Sequence, residues 1–590
     1  MIAYYKVNSQ YTPAERFLAE KIIELVYYKT LDSHRVRLNN PKGILHEIKY
    51  VLRDWHANKI KHFDKTIRPV ILETLQLLKN DTALVYGRVN KSYFHGLLGG
   101  CSDKNYLHLY HATNLVLEAN KNYLERLFEL IEAEINRINT IGSTPFDVSE
   151  LFVLNTLVDY LGTELINYGF SKGFLYAELT HLFSDATANH FQDAFNNFKL
   201  LGRGEQEDFI VIFRLNKIAG KTKNIDLKSK LELAKEEKEK YVLINNKSTE
   251  FFAKGEDDSY YLKINLKGWD YLSVIEKAKK ELFSTMDILH LGFPDNPFDF
   301  YKKCLVIGSQ RGPYANVLPV SYIPDGYYKN NQDLYDFLQE KITRLSEKRE
   351  IQRESLQKII SAFRHLRLGR DADELEQKFI NYWIGLEYIF SNYDINDNTI
   401  TRLKEYFIHA HSIAYIKRNL TEYCQDIRRL KLSKAIPDFG FSLQFLTEVS
   451  TFDYILHNYS ISHPLLSFRA YSYKKFITDK SEIERLISKH RSNLEWHLTR
   501  CYRIRNEIVH DAAIHLNIES ITGNLKYYLT FILNGLISYL DDMPVDVNMN
   551  GFVSIEDYFL LQEIRYNSLH KSGFKLDQLI EETSATEIFG

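Results

Sequence analysis

Cysteine is scarce in this chain. Cys101, Cys304, Cys424 and Cys501 are the four in 590 residues. They are far apart and form no Cys-x-x-Cys pair, which argues against a zinc ribbon and a disulfide framework. A reducing, cytoplasmic compartment is the expectation. Long apolar runs are also missing. Nothing approaches the roughly 20 unbroken apolar residues of a membrane span, so no membrane partner is expected. The opening Met1-Ile2-Ala3-Tyr4-Tyr5-Lys6 lacks a basic region followed by an apolar run, and no signal peptide is expected. Charge of one sign is absent as well: the net charge is −2. A nucleic acid would have to be met by a local patch, not by bulk attraction. Gly96-Leu97-Leu98-Gly99-Gly100 lacks the Gly-Lys-Ser/Thr of a phosphate loop and reads as a helix-breaking turn. No Ser or Cys stands in a recognisable nucleophile setting, and neither a cofactor nor a metal is expected.

What is present is an ordinary soluble composition, 45% hydrophobic and 26% charged. The length is too great for one hydrophobic core. Apolar residues at three- and four-residue spacing predict helices over Leu107 to Ile135 and Leu151 to Phe183. Asn39 to Gly43 and Gly142 to Pro145 are turn signals between such pieces. Phe209-Ile210-Val211-Ile212-Phe213 suits a buried strand, and a Lys/Glu-rich segment from Lys217 to Lys240 suits a solvated helix or linker. Strands are expected at Tyr260 to Leu266, Cys304 to Ile307 and Val317 to Val320, with a helix at Val274 to Leu289. The chain then turns helical again, with loops at Asn392 to Asn398 and Pro437 to Gly440. The expected fold class is mainly α. It comprises a helical region over 1–235, a small α/β module over 236–345, a helical bundle over 346–545 and a separate helical tail over 546–590.

One stretch concentrates chemistry: Tyr502-Arg503-Ile504-Arg505-Asn506-Glu507-Ile508-Val509-His510. On a helical wheel Cys501, Tyr502, Ile504, Ile508, Val509 and Ala512 form an apolar arc. Arg503, Asn506, Glu507, His510 and Asp511 lie opposite, and Asn506 and His510 share a face. Arg505 falls in the apolar arc, where a charge is costly unless paired. Glu387 is flanked by Ile380, Trp383, Ile384 and Phe390 and is misplaced in the same way. The two are expected to meet in a bidentate salt bridge. Arg and His at similar spacing also occur at Arg88/His95, Arg402/His409, Arg485/His490, Arg491/His497 and Arg565/His570. Context alone singles out Arg505 and His510.

The stretch resembles the active-site motif of the HEPN ribonucleases, in particular their Apea-like branch. That branch carries an aromatic-rich helix with Trp, a small residue and Leu-Glu, well ahead of a Tyr-Arg-x-Arg-Asn-x-Ile-Val-His helix. Both are here in order, as Tyr382-Trp383-Ile384-Gly385-Leu386-Glu387 and Tyr502 to His510. The resemblance covers about residues 350–541. It implies an endoribonuclease that needs no metal and uses the RNA 2′-hydroxyl as nucleophile, with Arg505, Asn506 and His510 catalytic and Glu387 and Arg503 supporting. It implies a homodimer, RNA such as tRNA as substrate, and a role in anti-phage defence with a phage-derived trigger. The rivals are a non-catalytic HEPN module for RNA or protein binding, and the toxin of a toxin–antitoxin pair.

Three further signals have blander readings. Arg364, His365, Arg367 and Arg370, and again Arg428, Arg429, Lys431 and Lys434, are basic clusters that read first as solvated helix surface and second as phosphate-tracking patches. Asp546 to Asp557 has the spacing of a calcium loop but reads better as a turn before a helix capped by Ser554 and Asp557. His409-Ala410-His411 sits in a helical stretch, where alternate residues diverge.

Overall fold

The computed structural model describes residues 7–27, 39–79, 81–141, 146–184, 190–217, 232–254, 259–292, 298–308, 314–320, 332–392, 399–437, 439–440, 443–511, 518–542, 545–549, 551–569, 576 and 580. The turn at 142–145, most of the 217–240 segment, the loop at 393–398, Pro437's neighbour at 438, and Ala512 and Asn550 lie outside that set. The protein is mainly helical, with one small antiparallel sheet. No described helix is long and apolar enough to cross a membrane. The chain forms two compact units. One comprises residues 1–164, 180–195 and 325–590; the other comprises 165–179 and 196–324.

The smaller unit is built on β1 (Glu207–Lys217), β2 (Tyr260–Gly268), β3 (Phe298–Phe300), β4 (Lys303–Gly308) and β5 (Tyr314–Pro319), in the order β2-β1-β4-β5 with β3 also on β1. Val211 stands between Ile264 and Val306 in register. Phe209, Val211, Phe213 and Val306 face Val274, Ala278 and Leu282 of the helix Ser273–Gly292. Ile212, Leu305 and Ile307 face the other way, onto Tyr241, Phe251 and Phe252. Burial on both faces is why the Phe209 to Phe213 run is apolar throughout and does not alternate. β1, assigned from sequence to the helical first region, is the central strand of this sheet.

The larger unit joins the two ends of the chain. Its relevant helices are α1 (Pro13–Leu25), α2 (Pro41–His56), α3 (Phe63–Leu78), α4 (Arg353–Asp371), α5 (Leu375–Phe390), α6 (Ile408–Arg429), α7 (Pro464–Thr478), α8 (Lys480–Asp511), α9 (Glu519–Asp542) and α10 (Ile555–Ser568). α2 begins where the Asn-Asn-Pro signal stands. The Asn40 side chain accepts from Gly43 N at 2.7 Å, and Pro41 opens the first turn, where its missing N–H costs nothing. Ile44, Leu45, Ile48, Val51 and Leu52 give α2 a buried apolar face. α1 is tied to α7 by the edge of Phe17 on Phe468, with centroids 5.3 Å apart, and by the Arg469–Glu24 ion pair.

α4 and α5 form a close hairpin. A Cβ on Gly369 would stand 2.4 Å from the ring of Tyr382, so only glycine fits there. Tyr382 and Trp383 are fully buried beneath it. The segment expected to be a separate tail is part of this bundle. Phe559 of α10 stacks on Phe390 at 4.8 Å, and Glu556 takes Arg402 Nη2 on both oxygens at 2.7 Å. Tyr566 joins the core of α6, α7 and α8 around Ile427, Ala470 and Ile487. A helix with buried aromatics at 559 and 566 has no stable existence apart from the groove that receives them.

Candidate functional site

α8 is 32 residues long and carries the motif in its last turns. Trp383 of α5 lies beside Tyr502, with centroids 6.0 Å apart. One turn further on, Arg505 Nη2 stands 3.8 Å from Glu387 Oε2. The two misplaced charges do meet, but not as a bidentate pair. Glu387 Oε2 already accepts the indole N–H of Trp383 at 2.9 Å, one helical turn back. Arg505 Nη1 donates instead to Asn506 Oδ1 at 3.1 Å. Both side chains are about a quarter exposed, 26% and 28%, so the energetics of a sealed pair do not apply.

His510 and Val509 are exposed, and Asn506 and Ile508 are half-buried. His510 makes no hydrogen bond or ion pair to another described residue. The side chain of Asp511 is outside the described set. The imidazole therefore stands in solvent one turn beyond Asn506, whose carbonyl oxygen is turned to Arg505. Burial pushes the neighbouring Cys501 thiol up to about 12, which removes the thiolate at neutral pH.

The supposedly polar face of α8 is not free. Arg503 Nη2 donates to Glu47 Oε1 at 2.6 Å, and its Nε is 3.7 Å from Glu507 Oε1. Glu507 itself is buried. Tyr50 donates to Glu507; burial and the facing carboxylates push its phenol up to about 12. Arg500 donates through Nε to both oxygens of Glu47 at 3.0 and 2.9 Å, and through Nη2 to Glu73 Oε2 at 2.6 Å. Arg503, expected on the polar arc, thus does not face solvent: its side chain is only 11% exposed, covered by α2. The physical reason is that the N-terminal helices pack on α8 within one unit. Burial raises the Glu47 carboxyl, but the guanidiniums of Arg500 and Arg503 outweigh it and bring it down to about 2.

Sequence reasoning passed over Arg500, Glu47, Glu73 and Tyr50. A signal did exist. Arg500, Arg503 and Glu507 are spaced three and four apart, as are Glu47, Tyr50 and Asp54, so each set makes one helical stripe.

The remaining candidates resolve as follows. Arg364 is exposed, but Arg367 and Arg370 both lean on Asp371, at 3.4 and 3.1 Å, and His365 is 3.4 Å from Asn381. Arg429 is tied to Asp426 at 2.9 Å, and Arg428 lies over the ring of Phe439. His409 stacks on Tyr566 while His411 bonds His490 at 2.9 Å and Tyr527 at 3.0 Å, so the two rings diverge as helical geometry requires. His497 is buried against Tyr528 and Asn524, and burial pushes it down to about 3. At the 546–557 loop the Ser554–Asp557 capping box forms, and Asp557 Oδ1 also takes Asn548 N and Nδ2.

No family model, curated protein or solved structure matches this chain.

Proposed function

We propose that the end of α8 is the active site of a HEPN-type endoribonuclease that needs no metal. The observation that carries this reading is the solvent-facing His510. It stands one turn beyond an Asn506 and Arg505 fixed from behind by Glu387 and Trp383. An imidazole can both take and give a proton, which suits acid–base work. In the reaction the RNA 2′-oxygen bonds to phosphorus and the bond to the 5′-oxygen breaks. A base takes the 2′-hydroxyl proton and an acid returns one to the leaving oxygen. The products are a 2′,3′-cyclic phosphate and a 5′-hydroxyl. Arg505, turned toward its own Asn506, has further N–H donors for the phosphate charge.

One imidazole serves poorly as both base and acid. Two copies of His510 facing across a two-fold axis would divide the roles, and we propose a homodimer for that reason. The same reading gives the protein a cytoplasmic place in anti-phage defence, cutting host RNA such as tRNA after a phage-derived trigger, with the N-terminal helices as sensor or restraint. The test is incubation of the full chain with total RNA in excess chelator, followed by mapping of RNA ends. Cyclic phosphate ends that vanish with His510→Ala are expected. RNA that stays intact under every trigger tried, or cutting that survives His510→Ala, would sink the reading. A second reading, a non-catalytic RNA- or protein-binding module, is favoured by Asn506 bonding to Arg505 in place of His510. Binding without cleavage would support it.

A further inference from the structure

α2 and α8 meet along a stripe of charge. On α8 the stripe runs Arg500, Arg503, Glu507, and the next position along the same face, three residues on, is His510. On α2 it runs Glu47, Tyr50, Asp54. Arg500 and Arg503 converge on one carboxylate, Glu47, at 2.6 to 3.0 Å. Their side chains are 6% and 11% exposed. Yet Arg500 Nη1 and Arg503 Nη1 find no hydrogen-bond acceptor among the described residues, and Arg503 Nε has only the longer ion-pair contact to Glu507 Oε1 at 3.7 Å. Buried guanidinium donors without acceptors are costly, and most natural sites satisfy them. Two forks aimed at one place, with donors left over, match an anion with more acceptor oxygens than a carboxylate has. A phosphodiester fits, because its two unesterified oxygens accept the same fork geometry that a carboxylate does and its two ester oxygens add weaker acceptors for the donors left over.

We propose that Arg500 and Arg503 form a second phosphodiester-binding site for the RNA strand, which the Glu47 carboxylate fills in the resting structure as an internal stand-in for phosphate. Two anions cannot share the forks. Glu47, Glu73 and Glu507 already place three carboxylates around two guanidiniums, so a phosphate enters only as Glu47 leaves. The exchange leaves neither guanidinium without an anion, because the phosphate takes the place that Glu47 leaves, and so it avoids the cost of an unpaired buried charge. The face it would expose runs from Arg500 to His510, ten residues or about 15 Å of helix. RNA held at the arginines would then reach the imidazole along one helix. α2 is in this way both cover and competitor for the site.

This inference rests on the nucleic-acid reading of α8 but not on cleavage. The test measures binding in full-length protein carrying His510→Ala, so that the probe survives. The probe is a fluorescent single-stranded RNA oligonucleotide, followed by anisotropy across a salt series. Adding Glu47→Gln is expected to tighten binding about tenfold, the scale of a charge-assisted hydrogen bond. It should also steepen the plot of log affinity against log salt, by about 0.7 for each phosphate newly held. Arg500→Ala with Arg503→Ala should abolish both gains. Binding no tighter in Glu47→Gln, or a gain that survives loss of the arginines, overturns the proposal. If Glu47→Gln does not fold, hydrogen exchange on the His510→Ala protein decides it. Oligonucleotide should lower protection across α2, residues 41–56, and unchanged protection overturns the proposal. RNA bound in this competitive way but never cut by the wild type would sink the nuclease reading alone. RNA cut with no effect of Glu47 on binding would sink this proposal alone.

Discussion

Two carboxylates reach α8 from opposite sides, and they meet it differently. Glu387 comes from α5, in the same C-terminal bundle. It stands 3.8 Å from Arg505, with both partners a quarter exposed. Glu47 comes from α2, 453 residues away from Arg500, and joins two arginines in a buried cluster with Glu73. The near pair orients a solvent-facing tip. The distant pair fixes the middle of the helix. One helix thus carries an accessible chemical end and a locked shaft two turns apart, and the lock comes from the other end of the chain.

The contrast is broken most violently by Arg500→Ala. It leaves Glu47 and Glu73 buried without their shared cation, and a loss of about 3–5 kcal/mol is expected in urea unfolding. A loss under about 1 kcal/mol would mean that the cluster is hydrated. The pH dependence of stability comes next. Burial pushes His497 down to about 3, and His409 and His463 to about 4. Below the ordinary pKa near 6.5 the unfolded chain takes up protons that the fold refuses. Their contribution is complete above pH 6.5 and is lost as pH falls toward 3, by up to a few kcal/mol each. Glu47, held at about 2, adds a loss of the same sign from its ordinary 4.5 down to 2. Glu73 runs the other way, since burial raises it and its ionisation costs stability as pH rises. Glu20 and Asp426, each pushed up to about 7 by burial, run with Glu73, so the imidazole share is read as a difference. The gap in unfolding free energy between wild type and His497→Phe should shift in favour of His497→Phe as pH falls from 7 to 4, and a gap independent of pH would contradict a neutral buried His497. The smallest effect is expected for Glu387→Gln. The amide oxygen can still accept from Trp383, and a partly exposed pair at 3.8 Å is worth about 1 kcal/mol or less. Its melting temperature should barely move while RNA cleavage falls. Unchanged cleavage would show that Arg505 is oriented without it.

What the sequence made legible follows the same division. Glu387 and Arg505 were findable because each is a charge on the apolar face of its own helix, and local periodicity exposes such a misfit. Glu47 and Arg500 lie on stripes that look like ordinary solvated surface. Nothing local says that α2 and α8 will cover one another. Strands are legible at 209–213, 304–307 and 317–320 as short apolar runs and at 260–266 by alternation, but β1 falls with the wrong neighbours, because a strand's partners are set by tertiary pairing. β3, three residues long, offered no pattern to detect. α10 was read as a detached tail, since its anchors, Phe559 and Tyr566, gain meaning only from Phe390 and the core of α6, α7 and α8.

The distance in sequence between Glu47 and Arg500 has a consequence during synthesis. A ribosome adding about 5–20 residues per second takes roughly 20 to 90 seconds to travel those 453 positions. Glu47 has been outside the exit tunnel for all of that time when the arginines emerge, and the imidazole follows Arg500 by ten residues. A newborn chain therefore has Glu47 at hand when Arg500 and Arg503 leave the ribosome.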